Sequence, residues 1–238
     1  DEILYFMKYL ARASGRIIRD FYYSTLYHGS ELSFRFKDDK SVVTEADLRV
    51  REFVCREFSR RFPNEGLLTE ESKDSLERLS KSSVFIVDEI DGSGDFKRGE
   101  EDFCFLCAYV ENGIPVIGVV YEPLKDRMFF AQKTGIAYLA ERGNTAPLKP
   151  LKPVSWDAAI VGHPKNYKGR KYEKLYSLLG ISPERIKHSG SGGVRMMQVA
   201  LQQAHMVLGY TRNLKEWDTA AGHVVLEALG ISVTDIQG

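Results

Sequence analysis

The chain has 238 residues, 43% of them hydrophobic, and its 33 Lys and Arg balance 33 Asp and Glu, so the formal net charge is zero. A chain of this length buries about 70–75% of its unfolded surface, enough for one large domain or two subdomains. The charge balance argues against a general binder of nucleic-acid polymers or membrane surfaces, since both need a basic excess.

Ile3, Leu4, Phe6, Met7, Leu10, Ile17, Ile18 and Phe21 recur at helical spacing, which predicts a long helix over residues 1–25. Leu32, Phe34 and Phe36 alternate with Ser33, Arg35 and Lys37, the period of a half-buried strand. A second helix is expected from Thr44 to about Arg61, closed by Pro63 and Gly66. Strands are predicted at 84–90, 103–110, 115–121, 128–132 and 136–139, with Asn112-Gly113 as the turn of a hairpin between two of them. Residues 143–153 hold three prolines and mark a boundary between an N-terminal α+β subdomain, 1–148, and a C-terminal α/β subdomain, 149–238. In the second part, a strand at 158–162, a helix at 171–179, the turn Gly190-Ser191-Gly192-Gly193, a helix at 194–203, a strand at 205–208, a helix at 217–229 and a strand at 231–233 follow in turn. Such alternation indicates an α/β arrangement.

Cys55, Cys104 and Cys107 are an odd set, which fits a reducing compartment better than a disulfide scaffold and predicts a cytoplasmic location. Cys104 and Cys107 have the spacing of a metal or redox motif, but FCFLCAYV around them reads as a buried strand in which free cysteine packs as a small hydrophobe. No apolar run approaches the ~20 residues of a membrane span, and no secretory leader pattern is evident.

Residues 84–96, VFIVDEIDGSGDF, carry the strongest chemical signal. The run 84–87 has no polar alternation, so the strand is expected to be buried on both faces and to end in the kind of crevice where layered folds place ligands. Asp88, Glu89, Asp91 and Asp95 then crowd together around Gly92-Ser93-Gly94, and carboxylates so close require a cation unless they form only a solvated turn. Three further acidic stretches sit at predicted element junctions: Asp47 in VVTEAD, Glu70 and Glu71 in LLTEES, and Asp218 in EWDTAAGH. Each has a plain alternative. Asp47 fits a capping box with Thr44, Glu70-Glu71 fits a surface turn, and Asp218 fits the first turn of a helix.

Taken together, the four stretches resemble the motif set of the inositol monophosphatase-like superfamily of metal-dependent phosphatases. DEIDGSGDF is similar to that family's D-P-I/L-D-G-T/S, LLTEES to its G-E-E segment, VVTEAD to its V-T-x-A-D and EWDTAAGH to its W-D-x-A-A-G. Within the superfamily, WDTAAGH and NGIPVIGVVYEP look most like the 3'(2'),5'-bisphosphate nucleotidases. The resemblance implies a layered α-β-α-β-α sugar-phosphatase fold, α+β and α/β in its two parts, and lithium-sensitive, Mg²⁺-dependent hydrolysis of a phosphate monoester by a metal-activated water. It implies more than one Mg²⁺ ion, held by Glu70, Asp88, Asp91, Asp218 and the Ile90 carbonyl. These are hard oxygen donors of the kind that suit Mg²⁺ and not zinc.

It also implies that Asp47 and Ser93 orient and deprotonate the attacking water, with Glu70 beside them, and that Gly92, Ser93 and Gly94 offer backbone N–H groups to the phosphate. No histidine lies near Ser93 in the motif, which speaks against its acting as a nucleophile. His28, His163, His188, His205 and His223 lack metal-ligand spacing; His188, just before the glycine-rich turn, aligns with a substrate-facing segment of the family.

Inositol-specific members carry a glutamate seven residues before the final aspartate, where this chain has Thr211, followed by Arg212 and later Lys215. A hydroxyl and cations suit a second phosphate better than a polyol, which points to adenosine 3',5'-bisphosphate as substrate, with inositol monophosphate and a non-catalytic binding role as alternatives. The partner is then a small phosphorylated metabolite, with no nucleic-acid polymer and no membrane, and the resemblance allows a monomer or a homodimer. Two departures from the family pattern stand out. Glu89 occupies the usual proline position, where its extra freedom should place the flanking ligands less rigidly, and Thr69 replaces a glycine, which crowds the approach to Glu70. Family members usually continue for a strand and turn past the position of Gly238.

Overall fold

A computed structural model describes residues 2–28, 33–37, 42–165, 170–209, 214–235 and 237. Helix α1 (Glu2–His28) and helix α2 (Glu45–Arg61) frame the N-terminal part, with a short antiparallel pair, β1 (Phe34–Phe36) and β2 (Val42–Thr44), between them. There follow β3 (Gly66–Thr69), β4 (Ser83–Asp91), the single-turn helix α3 (Ser93–Lys97), and then β5 (Cys104–Glu111), β6 (Ile114–Glu122), β7 (Arg127–Gln132), β8 (Tyr138–Glu141) and β9 (Asn144–Pro147). These last strands form one seven-stranded sheet in the order β3-β4-β5-β6-β7-β8-β9, parallel at β3-β4 and antiparallel elsewhere. The C-terminal part contains β10 (Val161–Pro164), α4 (Arg170–Leu178), β11 (Ile186–Ser189), α5 (Gly192–Ala200), β12 (Met206–Val207) and α6 (Glu216–Glu227), with a parallel sheet ordered β11-β10-β12.

The large sheet is covered on both sides, as the unbroken apolar run of β4 requires. Phe85 and Val87 of β4, with Phe105, Cys107, Val119 and Tyr121, pack against Phe6, Leu10 and Ile18 of α1 and Val50 and Val54 of α2. The alternate residues Ile86, Leu106, Ala108 and Val120 face Val194 and Met197 of α5 and Ala221, Val224 and Val225 of α6. On its far side α5 meets the small sheet, and Val161 there joins Tyr172 and Tyr176 of α4. The result is the expected layering: helices, large sheet, helices, small sheet, helix. Cys104 and Cys107 fall on opposite faces of β5, in different cores, so the CxxC spacing cannot present both sulfurs to one metal.

The sheet and α6 approach most closely at Gly118. A Cβ there would run into the carbonyl oxygen of Ala221 and lie 3.0 Å from Val224 Cβ. Gly118→Ala should therefore destabilise the protein by about 1–3 kcal/mol through overpacking, read as a lower denaturant midpoint at unchanged slope. An unshifted midpoint would show that α6 can slide away without cost.

Several expectations are corrected. Phe34 and Phe36 form a strand, but it is exposed along its whole length, the rings being 44% and 63% accessible; both lie beside Lys97, whose Nζ is 3.3 Å from the Phe34 ring centre. Residues 231–233 are not a strand; Ile231 and Val233 instead pack, partly buried, against the core that the large sheet shares with α5 and α6. The short strands β3, β9 and β11 were not anticipated, and Leu32 lies outside the described residues. No helix among the described residues is long and apolar enough to cross a membrane.

Candidate metal centre and active site

The acidic motifs converge where β4 ends. In a regular strand Asp88 and Asp91 would point to opposite faces. The register against β5 slips between them, with Asp88 opposite Leu106 and Asp91 opposite Cys104, and this irregularity turns Asp91 towards Asp88. Asp218, in the first turn of α6, completes a group of three carboxylates with ligand oxygens within 4.8 Å of one another. Gly92 then reverses the chain at φ +97°, and a Cβ there would come within 2.7 Å of the Asp102 carbonyl, so only glycine fits the turn that leads into Ser93.

The three carboxylates differ in their support. Asp91 is held from the second half of the chain: Oδ2 accepts from Ser191 Oγ (2.6 Å) and the Gly193 N–H (2.5 Å), and Oδ1 accepts from the Gly192 N–H (3.2 Å). These donors form the N-terminus of α5, where a negative charge is favoured. Asp218 accepts from the Lys215 N–H at 2.6 Å, and burial, followed by repulsion from Asp91, raises its pKa to about 7. Asp88 is wholly buried and has no hydrogen-bond partner at Oδ1; burial, then the charges of Glu70, Asp91 and Asp218, push its pKa well above the carboxylate range. An orphaned carboxylate oxygen inside a cluster of hard oxygen donors fits a divalent cation such as Mg²⁺.

Asp47 and Ser93 also meet. Thr44 caps α2, donating its N–H (2.7 Å) and hydroxyl (2.5 Å) to Asp47 Oδ2, while Oδ1 faces the Ser93 hydroxyl at 2.9 Å. Asp47 thus serves both as capping residue and as partner of Ser93. The Ser93 hydroxyl also lies 2.7 Å from the Ile90 carbonyl and has one proton to share between these acceptors. Burial raises the Asp47 pKa to about 6 despite the Thr44 and Ser93 hydrogen bonds.

Other expected site residues are placed differently. Glu70 follows β3, its N–H donating to Val87 O at 3.1 Å, but it lies outside the three-acid group and is engaged by Lys37, whose Nζ is 2.7 Å from Glu70 and 2.5 Å from Glu71. Lys37 was not singled out beforehand, since nothing in FRFK marks its partner 33 residues away. Arg195 of α5 was also missed: it is largely buried, and Nη1 donates to Ser189 O (2.7 Å) and Gly190 O (3.3 Å), shaping the glycine-rich turn beside Asp91. The exposed ring of His188 packs edge-on to His163 at 5.1 Å, with no described bond to the carboxylates. Thr211 and Arg212 lie outside the described residues. Glu89 is completely buried with both oxygens unpartnered, and burial pushes its pKa well above the usual carboxylate range; Thr69 is buried too, its hydroxyl donating to Ser72 at 2.8 Å, so it does not crowd the approach to Glu70.

The raised acids make a prediction about metal-free protein. Unfolded carboxyls titrate near pH 4, whereas Asp47 and Asp218 hold protons in the fold to about pH 6 and 7. Between these limits the folded state binds more protons than the unfolded one, so the associated stability is complete below about pH 4 and is lost as pH rises through 6 and 7. The melting temperature in EDTA should fall between about pH 5 and pH 8, and Mg²⁺ should abolish the decline. A flat profile in EDTA would show that the acids keep ordinary values.

Buried carboxylates gathered around a glycine turn equip a protein for metal-assisted chemistry on phosphate esters. Comparison with known proteins agrees: the family model described as "Inositol monophosphatase family" matches residues 1–238. The chain belongs to the inositol monophosphatase family, a family of phosphatases. It is 27% identical over 240 residues to inositol-1-monophosphatase of Bacillus subtilis, covering 100% of this chain and 86% of that protein. It is 28% identical over 236 residues to the 3'(2'),5'-bisphosphate nucleotidase CysQ of Aggregatibacter actinomycetemcomitans, covering 96% and 82%. Among solved structures, inositol monophosphatase II of Staphylococcus aureus superposes with a TM-score of 0.78 at 25% identity, over 97% of this chain and 81% of that one. SaIMPase-II has been solved with 2'AMP and with inositol monophosphate.

Proposed function

We propose that the protein is a Mg²⁺-dependent phosphomonoesterase of the 3'(2'),5'-bisphosphate nucleotidase type, removing the 3'-phosphate of adenosine 3',5'-bisphosphate. The observation that carries the phosphatase reading is the meeting of Asp88, Asp91 and Asp218 beside the Asp47–Ser93 pair. In this reading Asp88, Asp91, Asp218, Glu70 and the Ile90 carbonyl hold the ions, with residues 1–148 contributing most ligands and residues 149–238 adding Asp218 and substrate contacts. Bound Mg²⁺ would supply Lewis-acid polarisation of the phosphate and neutralise charge that develops on it.

The chain's own residues do the rest. Thr44 occupies Asp47 Oδ2, which leaves Oδ1 to accept the Ser93 proton. Ser93 Oγ then has lone pairs with which to accept a proton from the attacking water, and an acid near pKa 6 is matched to that task at neutral pH. Gly92, Ser93 and Gly94 would present backbone N–H groups to the phosphate, with glycine allowing close approach. His188, Thr211 and Arg212 are proposed to line the leaving group.

Substrate choice rests on the motif resemblance and on Thr211, followed by Arg212, standing where inositol-specific relatives usually carry glutamate. The S. aureus relative takes both an adenine nucleotide and an inositol phosphate, which supports a site of this shape accepting either class. Side-by-side kcat/KM values for adenosine 3',5'-bisphosphate and inositol 1-phosphate should favour the nucleotide about tenfold or more, about 1.4 kcal/mol of transition-state preference. Equal values or an inositol preference would replace the nucleotidase assignment with an inositol monophosphatase. A non-catalytic role finds support in Glu89, a buried unpartnered acid between two ligands; absence of Mg²⁺-dependent, EDTA-sensitive phosphate release from any monoester would favour it. Three free thiols, two of them buried, suit a cytoplasmic setting, and both monomer and homodimer are compatible with the reading.

A further inference from the structure

Charge is unevenly spread over this neutral chain. Along one side of α1, Lys8, Arg12, Arg16 and Arg19 succeed one another at intervals of four, four and three residues, a row about 16 Å long. Like charges so spaced repel, and the row is destabilising unless negative charge lies against it. Among the residues lining the adjoining cleft only Asp126 is acidic; it is half exposed, 3.8 Å from Arg12, and also accepts the Tyr121 hydroxyl at 2.8 Å.

The row forms one wall of a cleft of about 770 Å³, and the end of β6 with its turn into β7 forms the other. Cavities of this size hold small ligands, whereas a nucleic-acid duplex or a bilayer is too broad to enter. Local packing has built it. A Cβ on Gly15 would collide with the Tyr121 ring and sit 3.2 Å from Pro123 Cβ, so glycine lets α1 close onto the turn although it costs about 1 kcal/mol inside a helix. Arg19 Nη1 donates to the Tyr121 hydroxyl (3.1 Å) and to Pro123 O (3.0 Å), which fixes the guanidinium while other N–H groups stay available. Lys8 Nζ sits 4.1 Å above the Phe130 ring, and burial and then the charge of Arg12 lower its pKa, the behaviour of a cation short of counter-charge. Arg16 has no ion-pair or hydrogen-bond partner among the described residues.

We propose that this cleft is a second anion site, sharing no residue with the carboxylate cluster, which takes a compact oligophosphate across Arg12, Arg16 and Arg19. A single phosphate spans too little of the row to meet three guanidinium groups set one helical turn apart. A chain of phosphoryl groups offers each of them a pair of oxygens, the geometry that arginine recognises best.

Calorimetric titration of the full chain with inorganic tripolyphosphate tests this, with EDTA present so that the bare carboxylate cluster repels anions. One binding event per chain is expected, weakened roughly tenfold or more in an Arg12→Ala/Arg16→Ala double variant and by added salt. Arg16→Glu alone should weaken it as well, and both variants should melt at or above the parent temperature, because these side chains are exposed and the changes relieve the repulsion along the row. Undiminished binding in the variants overturns the proposal, as does no binding by the parent chain. Tighter binding of poly-glutamate or of a single-stranded oligonucleotide than of tripolyphosphate overturns it too, by assigning the cleft to another class of polyanion.

Discussion

Asp88→Asn should lower Mg²⁺-dependent phosphate release by more than about a hundredfold while leaving the fold intact. Loss of residues that merely support metal ligands costs roughly 10–100-fold, so loss of a ligand itself should cost at least the upper end. The substitution preserves shape and removes a carboxyl that is wholly buried, lacks a partner at Oδ1 and is pressed by three neighbouring acids. The metal-free variant should consequently melt higher than the parent, by about 2–4 °C for each kcal/mol relieved. Asp91→Asn should abolish turnover equally but without that gain, because Asp91 accepts hydrogen bonds from Ser191, Gly192 and Gly193, which a neutral amide satisfies less well. Retention of more than roughly a tenth of the activity at saturating Mg²⁺ by either variant would remove these residues from the ligand set.

The second large effect concerns Asp47 and Ser93. If they move one proton as a unit, each single alanine variant should lose roughly 10²–10⁴-fold in kcat, and the double variant should be little worse than the worse single one. Stability separates their other duties. Asp47→Ala removes the capping-box partner of Thr44 at the start of α2 and should cost about 1 kcal/mol, while Ser93→Ala leaves that box untouched. Losses that multiply in the double variant would mean that the two act independently.

How far the fold could be read in advance depended on how local its causes are. The long helix α1, the capping box of α2, the doubly buried β4 and the Asn112-Gly113 hairpin, with φ of +49° and +80°, all follow from neighbours in the chain. Strands β3, β9 and β11 are four residues each, and β9 is exposed throughout; pairing partners make them strands. The same holds at the site. The acids gathered at the end of β4 were visible as motifs, but the register slip that aims Asp91, the Lys37 contact to Glu70 and Glu71, and the buried Arg195 depend on segments brought together only by folding. The exposed pair Phe34 and Phe36 misled for the opposite reason: their alternation is that of a half-buried strand, yet both rings stay exposed beside Lys97.

The hold of α5 on Asp91 has a kinetic consequence. The donors come 100 to 102 residues after the acid they orient, so β4 can be fully formed while its last carboxylate is still unaimed. Contacts of such sequence separation form late, since loop closure must precede them. During refolding, or as the chain leaves the ribosome, regular secondary structure should return first and tight cation binding last.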